Sequence, residues 1–179
     1  MKKELRQTVL NQMKKLSGKE KEQADSWLTQ HLLSSAAYQK AQVIATYLSM
    51  SHEASTAAFI KQAQLDGKRV LVPKTYGRGR MIFVDYDESH LQKSSFGLME
   101  PISEEAVDKT EIDLIHVPGV VFNSQGFRIG YGGGYYDRYL ADFAGASISS
   151  IYSFQKSDFE PDYHDIAVKE VLIYELHLR

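Results

Sequence analysis

Cysteine is absent from the 179 residues, which excludes disulfides, thiolate metal sites and cysteine nucleophiles together. An excess of either charge is also lacking: 21 basic against 23 acidic residues leave a formal net charge of −2. No global field therefore draws the chain to nucleic acid or to an anionic membrane. No apolar run approaches the roughly 20 residues that a membrane-spanning helix needs. Met1–Arg6 opens a charged amphipathic helix rather than a signal peptide. A cytoplasmic monomer without nucleic-acid or membrane partners is expected. Internal repeats, low-complexity tracts and linkers are missing as well, so residues 1–179 are expected to fold as a single domain. The apolar share is ordinary, 43% hydrophobic beside 25% charged, and sufficient for one well-buried core.

Periodicity gives the order of elements. Leu5, Val9 and Met13 share one helical stripe that Leu16 continues. Ser17-Gly18-Lys19-Glu20 has the form of a capping box and starts a second helix, carrying Trp27, Leu28, His31 and Leu32 to about Ser34. Residues 41–48 read as a mostly buried strand. A helix from about Ser55 to Leu65 follows, then a strand over 69–72 that Pro73 stops. This strand-helix-strand unit with short connections predicts a parallel sheet. Further strands are predicted over 81–86 (at an edge), 114–117, 147–152 and 171–176. Helices are predicted near Glu104 and over 133–143. The fold class is α/β: a Rossmann-like, open, mostly parallel sheet flanked by helices, with two N-terminal helices. Ligands in such sheets collect beyond the carboxyl ends of the strands, where Ser49–Glu53, Pro73–Arg80 and Val120–Asp137 are expected to converge.

The densest signal is Gly126-Phe127-Arg128-Ile129-Gly130-Tyr131-Gly132-Gly133-Gly134-Tyr135-Tyr136-Asp137-Arg138. Five of the 12 glycines fall within nine residues here. Glycine is costly in ordered backbone, so this density implies positive φ or close approach to a ligand. A glycine-rich turn feeding a helix is an anion site, and Gly132, Gly133 and Gly134 can bring successive amides to phosphates. Arg128 and Arg138 add cations, Asp137 a hard oxygen for magnesium, and Tyr135 and Tyr136 flat surfaces with hydroxyls. The Gly-Lys-Ser/Thr ending of a P-loop is absent. The run also sits too late in the chain for a dinucleotide fingerprint, which disfavours a nicotinamide oxidoreductase. A nucleotide site is the reading the residues support.

Arg128–Arg138, preceded by Val117-Pro118-Gly119-Val120-Val121-Phe122, closely resembles the signature of the 5-formyltetrahydrofolate cyclo-ligases. The resemblance extends to Lys2-Lys3-Glu4-Leu5-Arg6, Leu48-Ser49-Met50-Ser51-His52-Glu53, Val72-Pro73-Lys74, Phe96-Gly97-Leu98-Met99-Glu100-Pro101 and His164-Asp165. It covers essentially the whole chain. It implies conversion of 5-formyltetrahydrofolate and ATP to 5,10-methenyltetrahydrofolate, ADP and phosphate, with magnesium as cofactor. The implied route phosphorylates the formyl oxygen, after which N10 attacks the activated carbon and phosphate leaves. Such transfer rests on positioning and charge neutralisation.

The resemblance also distributes roles. Lys2 and Arg6 match a basic pair that reaches the nucleotide phosphates, within an ATP-binding segment Lys2, Lys3, Glu4, Leu5 and Arg6. Lys3 shares a helical face with Arg6 too, so the choice of Lys2 follows the motif alone. Arg128, Ile129, Gly130, Tyr131, Gly132, Gly133, Gly134, Tyr135 and Tyr136 match the ATP loop, with Tyr136 and Arg128 catalytic. Asp137 and Asp165 match magnesium ligands, a chemistry that suits carboxylates. Glu53, Leu48, Phe96 and Lys74 match substrate-binding positions; Lys74 serves either phosphate or the folate glutamate tail. Two departures stand out: Asn123 where aspartate is common, and Leu172-Ile173-Tyr174-Glu175 in place of Val-Ile-Thr-Glu. His31 reads as a helix-face histidine, and His52, His90, His116 and His177 show no metal-ligand spacing with one another. Tyr76-Gly77-Arg78-Gly79-Arg80 reads as a hairpin turn rather than an RNA contact. The rival reading is a non-catalytic nucleotide- or RNA-binding paralogue. Retention of Lys2, Arg6, Glu53, Arg128, Asp137 and Asp165 argues against it.

Overall fold

The computed structural model describes residues 1–94 and 97–176. Helices α1 (Lys2–Lys15), α2 (Gly18–Ser34) and α3 (Ala36–Lys40) lead into β1 (Val43–Ala45), α4 (Ala57–Leu65), β2 (Arg69–Thr75) and β3 (Met81–Asp85). Next come β4 (Leu91–Lys93), β5 (Met99–Pro101), β6 (Leu114–His116), β7 (Val121–Phe122), β8 (Arg128–Ile129), α5 (Tyr135–Leu140), β9 (Ala146–Tyr152) and β10 (Glu170–Tyr174). Six strands make the central sheet in the order β10-β9-β6-β1-β2-β3, while β4-β5 and β7-β8 are separate two-stranded ribbons. All neighbours in the central sheet run parallel except β2 and β3. The mixed α/β class and mostly parallel sheet agree with the sequence. Among the described residues no helix is long and apolar enough to cross a membrane.

Both faces of the sheet are covered because each strand alternates its side chains between them. Ile44, Val70, Leu114 and Ile148 meet Leu32, Tyr38, Phe59 and Ile60 of α2, α3 and α4. Their sequence neighbours Ala45, Leu71 and Ile115 face the other way, packing with Phe83, Ile151, Tyr136 and Leu140. A smaller core joins Val9 and Met13 of α1 to Val120, Val121 and Ile129, with Leu5 at its border. The predicted stripe of α1 is thus spent on the β7-β8 ribbon, and Leu16 passes to the cluster around Ala24, Leu28 and Tyr152.

Several local expectations need correction. Helix α2 starts where the Ser-Gly-Lys-Glu pattern puts it, but Ser17 makes no side-chain capping hydrogen bond. Pro73 does not stop β2, which runs on to Thr75 opposite β3. Pairing with β1 ends at Leu71, so Pro73 lies where only β3 flanks the strand and a missing N–H is tolerated. No helix forms near Glu104; a single 3₁₀ turn occurs instead at Lys109–Glu111, capped by Asp108. The helix expected over 133–143 is only the six residues of α5. Helix α3 and both ribbons lacked a periodic signal because each is shorter than two full repeats of its pattern. The edge position of β3 and the hairpin turn at 76–80 are as read: Tyr76 N–H donates to Arg80 O at 2.8 Å, with Arg78 at φ +63°.

Candidate active site

The strand order turns at β1 and β6, since the chain builds outward from β1 through β2 on one side and through β6 and β9 on the other. The segments leaving the carboxyl ends of β1 and β6 diverge there, opening the crevice where open α/β sheets hold ligands. Segments distant in sequence meet around it. Tyr131 donates its hydroxyl to Glu53 Oε2 at 3.2 Å, and His52 Nε2 lies 2.9 Å from the same hydroxyl. Tyr135 donates to the carbonyl of Tyr76 at 2.9 Å, joining the glycine run to the β2-β3 turn. All three predicted segments therefore converge.

The β7-β8 ribbon presents the glycine run. Asn123 closes the ribbon's turn, its Oδ1 accepting from the amides of Gln125 and Phe127 while its Nδ2 donates to Phe159 O. An aspartate could not make that last bond. Arg128 on β8 is 7% exposed although it carries a guanidinium. Burial pushes its pKa down, and the nearby Asp137, Tyr136 and Asp165 oppose that shift. Its guanidinium stands over the Tyr136 ring, 5.3 Å from the centroid. Among the described residues, Arg128 Nε and the Tyr136 hydroxyl are the buried side-chain polar atoms that lack a hydrogen-bond partner. A side chain at Gly130 would come within 2.6 Å of Arg128 Nη1, so glycine lets the loop lie against the cation without displacing it. Gly134 holds φ +70° where α5 begins, and Arg138 Nη1 donates back to Gly133 O at 2.9 Å.

Helix α1 closes one side. Arg6 donates Nε–H to Gly130 O at 2.7 Å. Lys2 Nζ lies 3.2 Å from Asp162 and 3.8 Å from Asp165. Lys2, Leu5 and Arg6 are half-buried toward this side while Lys3 and Glu4 are exposed, so Lys2 is the partner of Arg6 on the facing side. Asp137 Oδ1 accepts the N–H of Ile166 at 3.1 Å, and Asp165 Oδ2 accepts that of Asp162 at 2.8 Å. Both carboxylates are thereby oriented beside Arg128. Asp162, His164 and Asp165 also place possible ligand atoms within 4.8 Å of one another. Magnesium selects oxygen and keeps waters, so Asp137 and Asp165 fit it; the nitrogen of His164 does not suit it.

On the opposite wall Glu53 is 5% exposed. Its Oε1 accepts from the Met50 amide at 2.8 Å. Burial raises its pKa, while Met50, Tyr131 and Lys21 pull the other way. Leu48 packs against the helix-side core. Lys74 is buried with Nζ donating to Ile102 O at 2.9 Å. Phe96 lies outside the described residues, as does His177. Tyr47, also buried, is held in its neutral form by burial and by the nearby Glu53 charge.

The sequence missed what supports this wall. Lys21 of α2 donates to Glu53 O at 2.8 Å and to Asp25 Oδ2 at 2.6 Å, and Tyr152 donates to Asp25 Oδ1. The i,i+4 spacing of Lys21 and Asp25 was readable as a pair, but not its approach to Glu53. Asp162 was missed likewise. His116 is a satisfied core histidine, between Thr46 Oγ1 at 2.9 Å and Ser150 Oγ at 3.0 Å, with its pKa driven down to about 3 by burial.

The sequence model of the 5-formyltetrahydrofolate cyclo-ligase family matches residues 1–173. The 5-formyltetrahydrofolate cyclo-ligase of Haemophilus influenzae is 28% identical over 94% of this chain and 97% of its own. That of Mus musculus is 32% identical over 76% of this chain and 71% of its own. Among solved structures, the 5,10-methenyltetrahydrofolate synthetase of Aquifex aeolicus superposes with a TM-score of 0.83 at 31% identity, covering 96% of this chain and 89% of that one. The Mycoplasma pneumoniae synthetase gives 0.79 at 28% identity, covering 96% and 97%. With a fold, a site and a family match that span nearly its whole length, the chain belongs to the 5-formyltetrahydrofolate cyclo-ligase family.

Proposed function

We propose that this 5-formyltetrahydrofolate cyclo-ligase uses ATP and magnesium to close 5-formyltetrahydrofolate to 5,10-methenyltetrahydrofolate. In this scheme the γ-phosphoryl passes from ATP to the formyl oxygen, with ADP as the leaving group. N10 then attacks the activated formyl carbon, and the carbon–oxygen bond breaks to release phosphate. An amide oxygen is a poor leaving group and phosphate a good one, which is what coupling to ATP supplies. The observation that carries the reading is the buried guanidinium of Arg128, whose Nε lacks a partner beside the equally unpartnered Tyr136 hydroxyl. Buried polar groups in folded proteins are paired, so an orphaned cation and hydroxyl in a crevice call for an anionic, oxygen-rich ligand.

In this reading Arg128, Lys2 and Arg6 surround the phosphates with the backbone of Gly130–Tyr136. Tyr136 and Arg128 act at the transferred phosphoryl group, Tyr136 by donating its hydroxyl, which burial keeps protonated. Asp137 and Asp165 hold the metal, which neutralises phosphate charge when bound. Glu53 accepts from the donor edge of the pterin ring, with Leu48, Phe96 and Lys74 completing the folate side. We infer further that residues 1–179 work as one cytoplasmic domain and as a monomer, with no nucleic-acid or membrane partner. A net charge of −2 supports the absence of a polyanionic partner.

Purified protein mixed with 5-formyltetrahydrofolate, magnesium and ATP should form the absorbing methenyl product. Folded protein that forms none with ATP present would overturn the reading, and product formed equally without ATP or magnesium would overturn its coupling.

A further inference from the structure

Tyr131 is the one residue of the glycine run whose hydroxyl reaches across the crevice to the opposite wall. Its proton goes to Glu53 Oε2 at 3.2 Å, so the 2.9 Å contact with His52 must have Nε2–H donating to the tyrosine oxygen. The order is His52 N–H to Tyr131 O–H to the Glu53 carboxylate. The other carboxylate oxygen, Oε1, is already held by the Met50 amide. The Glu53 backbone is anchored too, its carbonyl accepting from Lys21. Oε2 is therefore the carboxylate oxygen without a backbone donor, and Tyr131 sits on it. Tyr131 is 45% exposed, so it is held by these polar contacts more than by packing.

We infer that Tyr131 is a latch between the two halves of the site, tying the nucleotide loop to the folate carboxylate while neither substrate is bound. The inference rests on the proposed function, in which Glu53 Oε2 serves the pterin donors and Gly130–Gly134 the phosphates. Each ligand favours the unlatched arrangement, because folate needs Oε2 and phosphates draw the loop backbone to themselves. Whichever ligand binds first bears the cost of opening, and the second does not. The result is positive coupling between ATP and folate, equal in both directions by linkage. Tyr131 is a positioning residue here, since it acts through Glu53.

Isothermal calorimetry tests this with 5-formyltetrahydrofolate and a non-hydrolysable ATP analogue in magnesium buffer. In the wild-type protein the analogue should tighten folate binding by roughly tenfold, the usual range for such coupling. Tyr131→Phe should bind each ligand alone several-fold more tightly and bring the ratio toward one. His52→Ala, which leaves the glycine run intact, should shift the ratio the same way. Thermal unfolding of both variants verifies that they are folded. A purely structural role gives the opposite sign, weaker binding of each ligand with the ratio preserved, and that result overturns the latch. A wild-type ratio of one does so as well. Wild-type protein that binds folate and forms product while Tyr131→Phe keeps the full ratio sinks the latch alone. Wild-type protein that neither binds folate nor forms product sinks the proposed function itself.

Discussion

Arg6 and Gly130 are 124 positions apart in the chain, yet the Arg6 guanidinium donates to the Gly130 carbonyl at 2.7 Å. This contact fixes the N-terminal helix over the loop that Arg128 and the glycines build. It also sets the Arg6 cation against a loop carbonyl, offsetting that carbonyl's partial negative charge.

Arg6→Ala should raise the KM for ATP by roughly 10- to 100-fold, the worth of a hydrogen bond to a charged group. The KM for folate should change little. Stability should fall by only about 1 kcal/mol, because Leu5, Val9 and Met13 still seat α1 on the ribbon. An unchanged ATP KM would reduce Arg6 to a tie between helix and loop. Steady-state kinetics with each substrate varied separately provides the check.

Glu53→Gln should separate stability from activity. Burial raises the folded-state pKa of Glu53 above its ordinary value near 4.5. The unfolded carboxyl therefore ionises first as pH rises, and stability is lost as pH climbs through the folded value. At pH 7 the uncharged amide removes that cost, so Tm should rise while folate KM increases at least tenfold. A lower Tm, or unaltered folate kinetics, would contradict the assignment.

His116 should make the protein acid-sensitive. Its pKa is about 3 when folded, against an ordinary 6.5, so the stability it contributes is complete above pH 6.5. That contribution erodes as pH falls toward 3, by up to about 1.4 kcal/mol per pH unit. Urea denaturation of the wild type and of His116→Gln at pH 7, 6 and 5 should show a flatter profile in the variant. Equal slopes would locate the sensitivity elsewhere.

Asp137→Ala should lower magnesium-dependent turnover by roughly 100-fold, in the range expected when transition-state charge stabilisation is lost. It strands the Ile166 amide, so a stability loss of about 1 kcal/mol accompanies it. Turnover measured across a magnesium titration should show a shifted requirement. Wild-type rates at every concentration would remove Asp137 from the metal site.

The long elements were legible in the sequence because each repeats its period. Leu5, Val9 and Met13 marked α1, the apolar run around β1 marked a buried strand, and the strand-helix-strand unit through α4 to β2 marked a parallel sheet. The glycine run was legible as a special turn because its backbone takes conformations that side chains disfavour, as Gly132 at φ +103° and Gly134 at φ +70° illustrate. The β7-β8 ribbon was not legible. With two residues per strand it has too little pattern to detect, although it is what carries Arg128. Pro73 misled because propensity does not know which flank of a strand is paired.

By itself, then, the sequence determined the α/β class, the parallel core and the chemical inventory of the site, since all three follow from local period and residue type. Only the tertiary structure decided that Lys2 lies against Asp162 and Asp165, that Lys21 and Asp25 brace Glu53, and that Tyr131 spans the crevice to reach it. Those pairings depend on how elements far apart in the chain are docked by apolar burial. That docking is a property of the whole core and leaves no mark at any single position.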